Sequence, residues 1–282
     1  MMRVPTSQER ARRSASTLLG RDLELLEVFT AGQHAFTLLA SDGASEVVVR
    51  TFPSGDDAVA RELAALERIT ALGPMVPHLV AGSADTEEPL IITTRVAGST
   101  PDPHADLVAV AQQMAAALFS IHGLDGTGLP LAPLAPHTGE SAIAHRAQQG
   151  FDRLDLRDRV LSHGDFWTGN ALWVRDEATG APRLTGVVDW SGAKHAPRGF
   201  DLAWCRQDLV LLGSRAAAAS FLAEYEARLG AAISDINDWD VQTAASAADR
   251  VETWLPNYHG IGLTEMTAEM LRSRLDEWNA SL

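Results

Sequence analysis

The sequence predicts an α+β fold of two unequal lobes, a small antiparallel β-sheet followed by a larger, mainly helical part. Short β-rich runs separated by turn residues occupy the first part, and apolar residues at helical spacing dominate the second. A Gly/Pro-rich exit separates the two. We therefore divide the chain into an N-terminal arm or helix (1–22), an N-terminal lobe (23–97) and a C-terminal lobe (98–282).

The N-terminal lobe is predicted to begin with a three-stranded meander. Residues 1–22 carry five arginines and are expected to form an exposed helix or arm. The strands that follow are predicted at 23–29, 35–40 and 46–52, with turn residues between them. Two more strands are expected at 76–81 and 90–96.

Arg50 is an unusual residue for its predicted strand. It lies in the run VVVRTF, where a cation either points to solvent or has a buried partner. Apolar residues recur at helical spacing in 57–72 and predict a helix, on which Glu62 can face back toward the sheet. We expect an Arg50–Glu62 ion pair, the alternative being two unrelated surface charges.

The C-terminal lobe is predicted to be mainly helical. An amphipathic helix is expected at 107–122, where six apolar residues fall on one face. Further helices are expected at 141–159, 200–212 and 214–229, and the tail is interpreted as two helices around 254–263.

The segment 161–190 carries the residues suited to chemistry. Two short apolar strands in 171–188 flank a polar turn, so the ends of this predicted hairpin return to one side. Asp165 and Asn170 precede the first strand and Asp189 follows the second, so their oxygen ligands, which suit Mg²⁺, should converge. The spacing His-x-Asp-x-x-x-x-Asn with a later Asp is that of a kinase catalytic loop and indicates a phosphotransferase centre.

Other residues fit the nucleotide side of such a centre. Lys194 is the only lysine, so the strand cation that touches the nucleotide phosphates must be an arginine, and Arg50 is the candidate. The turn containing Gly32 could cover the phosphates, although a plain hairpin turn fits its single glycine equally well. The backbone near Thr94 and Val96, at the lobe boundary, could pair with an adenine ring.

Composition excludes several classes of protein. The hydrophobic content of 46% excludes a disordered chain, and the net charge of −14 argues against a nucleic-acid partner. The lone cysteine, Cys205, excludes a disulfide framework and favours a reducing compartment. Because we find no secretory signal and no membrane-spanning run, we expect a cytoplasmic protein without a membrane partner. The oligomeric state is not predicted.

Three motifs occur in a specific order: HGDFWTGN at 163–170, VVDW at 187–190 and FDLA at 200–203. With this order and spacing the sequence resembles the aminoglycoside phosphotransferase family, also called the antibiotic or choline kinase-like phosphotransferases. The runs VVVRTF, RELAA and RVAG extend the resemblance over nearly the whole chain.

The resemblance implies a protein-kinase-like two-lobe fold and an enzyme. The implied reaction moves the γ-phosphoryl of ATP or GTP to a hydroxyl of a small molecule, such as an aminoglycoside-like or other antibiotic, an amino alcohol or a sugar. Asp165 would be the catalytic base, and Asn170 and Asp189 would hold Mg²⁺. Arg50 stands where the family often has lysine, with Glu62 as its partner.

Two other functions are weighed against this one. A catalytically silent kinase-like nucleotide-binding or regulatory protein is suggested by Arg50 and the sparse glycine turn, whereas the intact Asp165, Asn170 and Asp189 favour an enzyme. A metal-dependent phosphoesterase would need more histidines near its ligands than His195 provides.

The acceptor is not identified by the sequence. Asp208, Glu252 and Glu265 would attract a cationic amine, and Trp254 and Tyr258 would stack on a ring. The same residues fit a solvated face and a helical core, so both interpretations stay open.

Overall fold

The N-terminal part is built on a five-stranded antiparallel sheet. The computed structural model describes residues 7–29, 35–85, 87–102 and 105–282. The strands are β1 Glu24–Phe29, β2 Phe36–Ser41, β3 Glu46–Thr51, β4 Leu79–Ser83 and β5 Leu90–Thr94. Their order across the sheet is β1-β2-β3-β5-β4. The predicted small antiparallel sheet is confirmed, with strand boundaries that differ by a few residues.

Side-chain alternation in β3 directs Arg50 toward the interior between the sheet and a helix. Val47 and Val49 belong to the buried cluster on the face covered by helix α1 (Ser7–Leu19). Arg50 pairs with Ile91 of β5, which belongs to the core on the other face, where helix α2 (Ala58–Arg68) packs. Because successive residues of a strand face opposite sides, Arg50 lies on the α2 side.

Helix α1 lies within the segment 1–22, where an exposed arm or helix was expected, but one face of it is buried. Ala11 and Ala15, one turn apart, are buried against the sheet, and Arg12 Nη1 donates to Leu23 O at 2.9 Å. Residues at i and i+4 share a helix face, and two small side chains let that face approach the strands closely. The prediction missed this packing face because alanine contributes little to an apolar pattern. The arginines nearby indicated an exposed segment instead.

Seven further helices form the C-terminal body. They are α3 Leu107–His122, α4 Ala142–Gly150, α5 Gly199–Leu211, α6 Arg215–Leu229, α7 Ile236–Ala247, α8 Leu255–Gly260 and α9 Ala268–Ser281. The predicted helix 107–122 matches α3, whose N-cap Asp106 accepts a hydrogen bond from Val108 N at 2.9 Å.

Two helix predictions for the C-terminal lobe were too simple. The helix expected at 141–159 ends at Gly150, passes through a 3₁₀ turn and becomes extended at Leu154. Arg153 pairs with Asp238 of α7 and fixes the chain where it leaves the helix. The tail contains α7, α8 and α9 in place of two helices.

Two small antiparallel pairs connect the sheet to the helices. Strands β7 (Ala171–Arg175) and β8 (Pro182–Val187) form the predicted hairpin. Strands β6 (Arg159–Ser162) and β9 (Lys194–Pro197) pair with each other, and neither strand was predicted. A four-residue strand is defined by its partner more than by its own sequence, and for this reason it was missed.

The lobe boundary after residue 97 remains a prediction. Strand β5 ends at Thr94, and Ser99 already pairs with Trp173 of the β7–β8 hairpin. Within the described residues, no helix combines the length and the apolar character that crossing a membrane requires.

Candidate active site

A buried aspartate at the start of α5 fixes the loop that carries Asp165. Asp201 is fully buried, and its carboxylate accepts hydrogen bonds from His163 N at 2.7 Å and Gly164 N at 2.9 Å. Gly164 has φ of 81°, and a Cβ at this position would lie 2.0 Å from Gly192 O. The loop therefore needs glycine at this position and Asp201 beneath it.

Asp165 is held by two donors from different parts of the chain. Asn170 Nδ2 donates to Asp165 Oδ2 at 3.1 Å and to Asp165 O at 2.9 Å. Trp204 Nε1, from α5, donates to Asp165 Oδ1 at 3.0 Å. Burial raises the pKa of Asp165, and the hydrogen bonds from Asn170 and Trp204 partly offset this effect.

His163 joins this loop to the end of the hairpin. Its Nδ1 lies 3.3 Å from Asp165 N and its Nε2 lies 3.0 Å from Val188 O. An Nδ1 that accepts leaves the proton on Nε2, which then donates to the carbonyl. The ring thus orients both segments.

The hairpin brings Asp189 to the same region as Asp165 and Asn170. Val188 N donates to Asn170 O at 2.9 Å, so the two ends of the hairpin are joined. Asp189 Oδ1 accepts hydrogen bonds from Ser191 Oγ at 2.7 Å and Arg50 Nη2 at 2.9 Å. Burial acts to raise the pKa of Asp189, but Arg50 and these hydrogen bonds outweigh it and leave the pKa lowered.

Arg50 binds two carboxylates with its planar guanidinium. Nη1 pairs with Glu62 Oε1, and Nη2 binds Asp189, so the ion pair expected between strand and helix is present in the structure. Glu62 is 2% exposed, and burial raises its pKa to about 7 although Arg50 opposes the shift. A lysine has one charged nitrogen and could not match this two-pronged geometry.

The two predicted hinge residues differ in whether their backbone groups already have hydrogen-bond partners. Thr94 N donates to His78 O at 2.9 Å and is therefore occupied. Within the described residues, the Val96 backbone makes no such bond, and its side chain packs over Gly186. The predicted phosphate-covering residue Gly32 lies outside the described residues.

One cavity of about 670 Å³ joins these groups. Its sheet side is lined by Val48, Arg50, Glu62, Thr93, Thr94 and Val96, and its floor by Asp165, Asn170 and Asp189. Its helical side is lined by Trp167, Trp204, Asp208, Trp254, Tyr258 and Ile261. Asp165 therefore shares one cavity with the cation Arg50 and with an aromatic wall that includes Trp167, Trp204, Trp254 and Tyr258.

The floor of the cavity offers oxygen atoms that could serve as ligands to a magnesium ion. The structure gives no hydrogen bond from the described residues to Asn170 Oδ1 or Asp189 Oδ2. The described residues contain no cluster of three or more His, Cys, Asp or Glu side chains that could hold a metal alone. Mg²⁺ commonly takes one or two protein ligands and completes its shell with phosphate and water oxygens, so this donor set fits it.

Sequence reasoning missed two parts of this arrangement. It assigned no role to Trp204, and it treated Asp208 and Tyr258 as separate groups, although Tyr258 Oη donates to Asp208 Oδ1 at 2.9 Å. Asp201, Trp204 and Asp208 lie at i, i+3 and i+7 of α5 and share one helix face. That spacing, read together with the motif at Asp165, was a usable signal.

The comparisons with known proteins agree with this geometry. The family model described as the phosphotransferase enzyme family matches residues 26–241. The chain belongs to this family. It is therefore a phosphotransferase, and its predicted membership is confirmed. Among curated protein sequences no match was found.

Solved structures of similar fold cover nearly the whole chain. Choline kinase LicA from Streptococcus pneumoniae is 16% identical with a TM-score of 0.65, covering 98% of this chain and 99% of that chain. A thermostable mutant of aminoglycoside phosphotransferase APH(4)-Ia, solved with ADP and hygromycin B, is 16% identical with a TM-score of 0.64, covering 96% and 98%. A type I macrolide 2′-phosphotransferase is 20% identical with a TM-score of 0.59, covering 100% and 99%. These likenesses confirm the two-lobe, protein-kinase-like fold.

Proposed function

We propose that this phosphotransferase moves the γ-phosphoryl group of ATP or GTP to a hydroxyl of a small molecule, with Asp165 as the catalytic base. The observation that carries the proposal is the position of Asp165 in the cavity. Its carboxylate lies in the same cavity as the Arg50–Asp189 pair and the aromatic wall. A base between a cationic site and an acceptor chamber is what phosphoryl transfer requires.

In this mechanism Asp165 accepts the proton of the acceptor hydroxyl as its oxygen attacks the γ-phosphorus. The bond from that phosphorus to the β-γ bridging oxygen breaks, and the nucleoside diphosphate leaves. Burial raises the pKa of Asp165, which makes it a better proton acceptor once it is ionised. Arg50 binds the phosphates with a charge that does not titrate near neutral pH, and Glu62 orients it.

Asn170 and Asp189 would hold the magnesium ion through Asn170 Oδ1 and Asp189 Oδ2. When bound, Mg²⁺ neutralises charge on the phosphate oxygens. Arg50 Nη2 binds Asp189 Oδ1 and leaves the other carboxylate oxygen for the ion. The edge of the nucleotide's ring system would pair with the Val96 backbone rather than with Thr94, because Thr94 N already donates to His78 O.

The domain roles follow from this assignment. The sheet with α2, within 23–97, would bind the nucleotide, and 98–282 would carry the catalytic and acceptor-binding residues. ADP and AMP-PNP in complexes of the related APH(4)-Ia support ATP as co-substrate. An enzyme that consumes ATP works where ATP is supplied, so we propose that it acts in the cytoplasm.

The acceptor chamber is aromatic and carries few charges. Asp208, Trp254 and Tyr258 line it, but Glu252 does not and pairs with Arg272 at 2.6 Å instead. Asp208 is itself buried and hydrogen-bonded. This lining supports an acceptor with an apolar or ring face and few positive charges. Choline, hygromycin B, macrolides and sugars are the first acceptors to test.

Asp165→Ala tests the proposal. With Mg²⁺, ATP or GTP and this acceptor panel, the wild type should form a phosphorylated product, and the variant should lose at least about 10²-fold in kcat. Asp152→Asn removes an exposed carboxylate outside the cavity and serves as the matched control. Full activity of Asp165→Ala would overturn the assignment. Nucleotide binding without turnover for any acceptor would favour the silent regulatory protein.

A further inference from the structure

Trp204 approaches the reacting carboxylate although it is far from it in sequence. Its indole Nε1 donates to Asp165 Oδ1 at 3.0 Å across 39 residues of chain. Trp204 lies on α5, one turn after Asp201, whose carboxylate holds the backbone of the loop that carries Asp165. A single helix therefore contacts both the backbone and the side chain of this loop.

The two donors to Asp165 restrict its carboxylate in a way that one could not. Asn170 donates to Oδ2 and Trp204 to Oδ1, so rotation about the Cβ–Cγ bond would break at least one hydrogen bond. Each carboxylate oxygen has two lone-pair sites, so each still has one available for an acceptor proton. The two donors come from separate elements and define the plane of the carboxylate.

We propose that Trp204 is a positioning residue that fixes the carboxylate of Asp165 for proton transfer. This inference rests on the proposed function, in which Asp165 is the base. The benefit comes from preorganisation, because a base held in the productive orientation need not be ordered during the reaction. Trp204 itself touches no reacting atom in this role.

A tryptophan outside the cavity supplies a matched control. Trp278 lies on α9, does not line the cavity, and its indole Nε1 has no hydrogen-bond partner among the described residues. The two side chains that donate to the Asp165 carboxylate are Asn170 and Trp204. Trp→Phe at either position keeps an aromatic ring, but only the change at 204 removes a donor to Asp165.

The kinetic experiment uses water as the acceptor, so that no acceptor need be known. Slow hydrolysis of MgATP is measured for the wild type, Trp204→Phe, Trp278→Phe and Asp165→Ala. We expect Trp204→Phe to lower kcat by about tenfold, the size of a lost hydrogen bond to a charged group, with an unchanged KM for ATP. Trp278→Phe should keep the wild-type kcat. Equal kcat values for Trp204→Phe and the wild type would overturn the inference.

A spectroscopic measurement tests the hydrogen bond without relying on activity. In protein labelled with ¹⁵N-tryptophan, the indole signal absent from Trp204→Phe identifies the Trp204 N–H among the seven tryptophans. In Asp165→Ala this signal should move upfield and exchange faster with water, whereas Asp152→Asn should leave it in place. An unmoved signal in Asp165→Ala refutes the contact.

The same variants separate this inference from the proposed function. If Asp165→Ala hydrolyses ATP at the wild-type rate, Asp165 is not the base and the proposed function fails. If Asp165→Ala loses hydrolysis while Trp204→Phe retains it, the base assignment stands and only the positioning role is lost.

Discussion

Removing Arg50 should destabilise the fold because a buried carboxylate would lose its counter-charge. The side chains of Arg50 and Glu62 are 13% and 3% exposed, so both charges are largely removed from water. Breaking a buried ion pair by deleting one partner costs about 3–5 kcal/mol, since the remaining charge is uncompensated. We therefore expect Arg50→Met to lower the free energy of unfolding by about 3 kcal/mol at pH 8.

The difference in the free energy of unfolding between Arg50→Met and the wild type should depend on pH in a defined direction. Burial raises the pKa of Glu62 from 4.5 to about 7, and without Arg50, whose charge lowers it, the pKa rises further. A group with a raised folded pKa stabilises the protein below its unfolded pKa, and this stability is lost as the pH rises through the folded pKa. The variant keeps its protonated Glu62 to higher pH than the wild type does. Its deficit should therefore grow by about 1 kcal/mol between pH 6 and pH 8.

Urea unfolding followed by circular dichroism measures both effects. Of the two carboxylates that pair with Arg50, Glu62 is the more buried, with a side chain 3% exposed against 38% for Asp189. The double variant Arg50→Met/Glu62→Gln removes this buried charge and should recover part of the loss, with a coupling energy of at least about 1.5 kcal/mol. If the two single changes add within about 0.5 kcal/mol, or the deficit is equal at pH 6 and pH 8, the pair is not a buried ion pair and the reasoning is wrong.

Two further predictions concern the helical body. Burial raises the pKa of Asp208 from 3.8 to about 6, so its stabilising contribution is lost as the pH rises through that range. The stability of Asp208→Asn relative to wild type should improve by about 1 kcal/mol from pH 5 to pH 7.5 in urea unfolding, and a constant difference would contradict this. A Cβ on Gly199 would lie 2.1 Å from the buried ring of Trp239. Gly199→Ala should thus cost about 1–3 kcal/mol, and an unchanged thermal midpoint would refute the crowding.

Local patterns were sufficient to predict most of the elements. The alternating runs that predicted the β7–β8 hairpin and the 3.6-residue spacing that predicted α3 lie within single segments. The buried face of helix α1 and strand β9 were missed because their packing depends on distant partners. Ala15 becomes a core residue only when the sheet is present, and Lys194–Pro197 becomes a strand only beside β6.

The residues of the site form the same two groups, those within a local motif and those whose contacts depend on tertiary packing. Asp165 and Asn170 lie five residues apart, and their motif is visible in the sequence. Trp204 lies 39 residues from Asp165, and Tyr258 lies 50 residues from Asp208. The spacing of Asp201, Trp204 and Asp208 places them on one helix face, but it does not state that this face packs against the loop before the hairpin. That information resides in how α5 packs beneath the loop, which is a tertiary property.

The backbone at Asp189 limits which substitutions can be interpreted there. Its φ of 63° and ψ of 70° are left-handed, and among the described residues it is the only non-glycine with positive φ. Asp, Asn and Gly tolerate this conformation far better than other residues. Replacing Asp189 with alanine or glutamate would therefore alter the chain path together with the charge. Asparagine is the substitution that removes the charge and leaves the turn intact, so any study of the ligand at this position should begin with it.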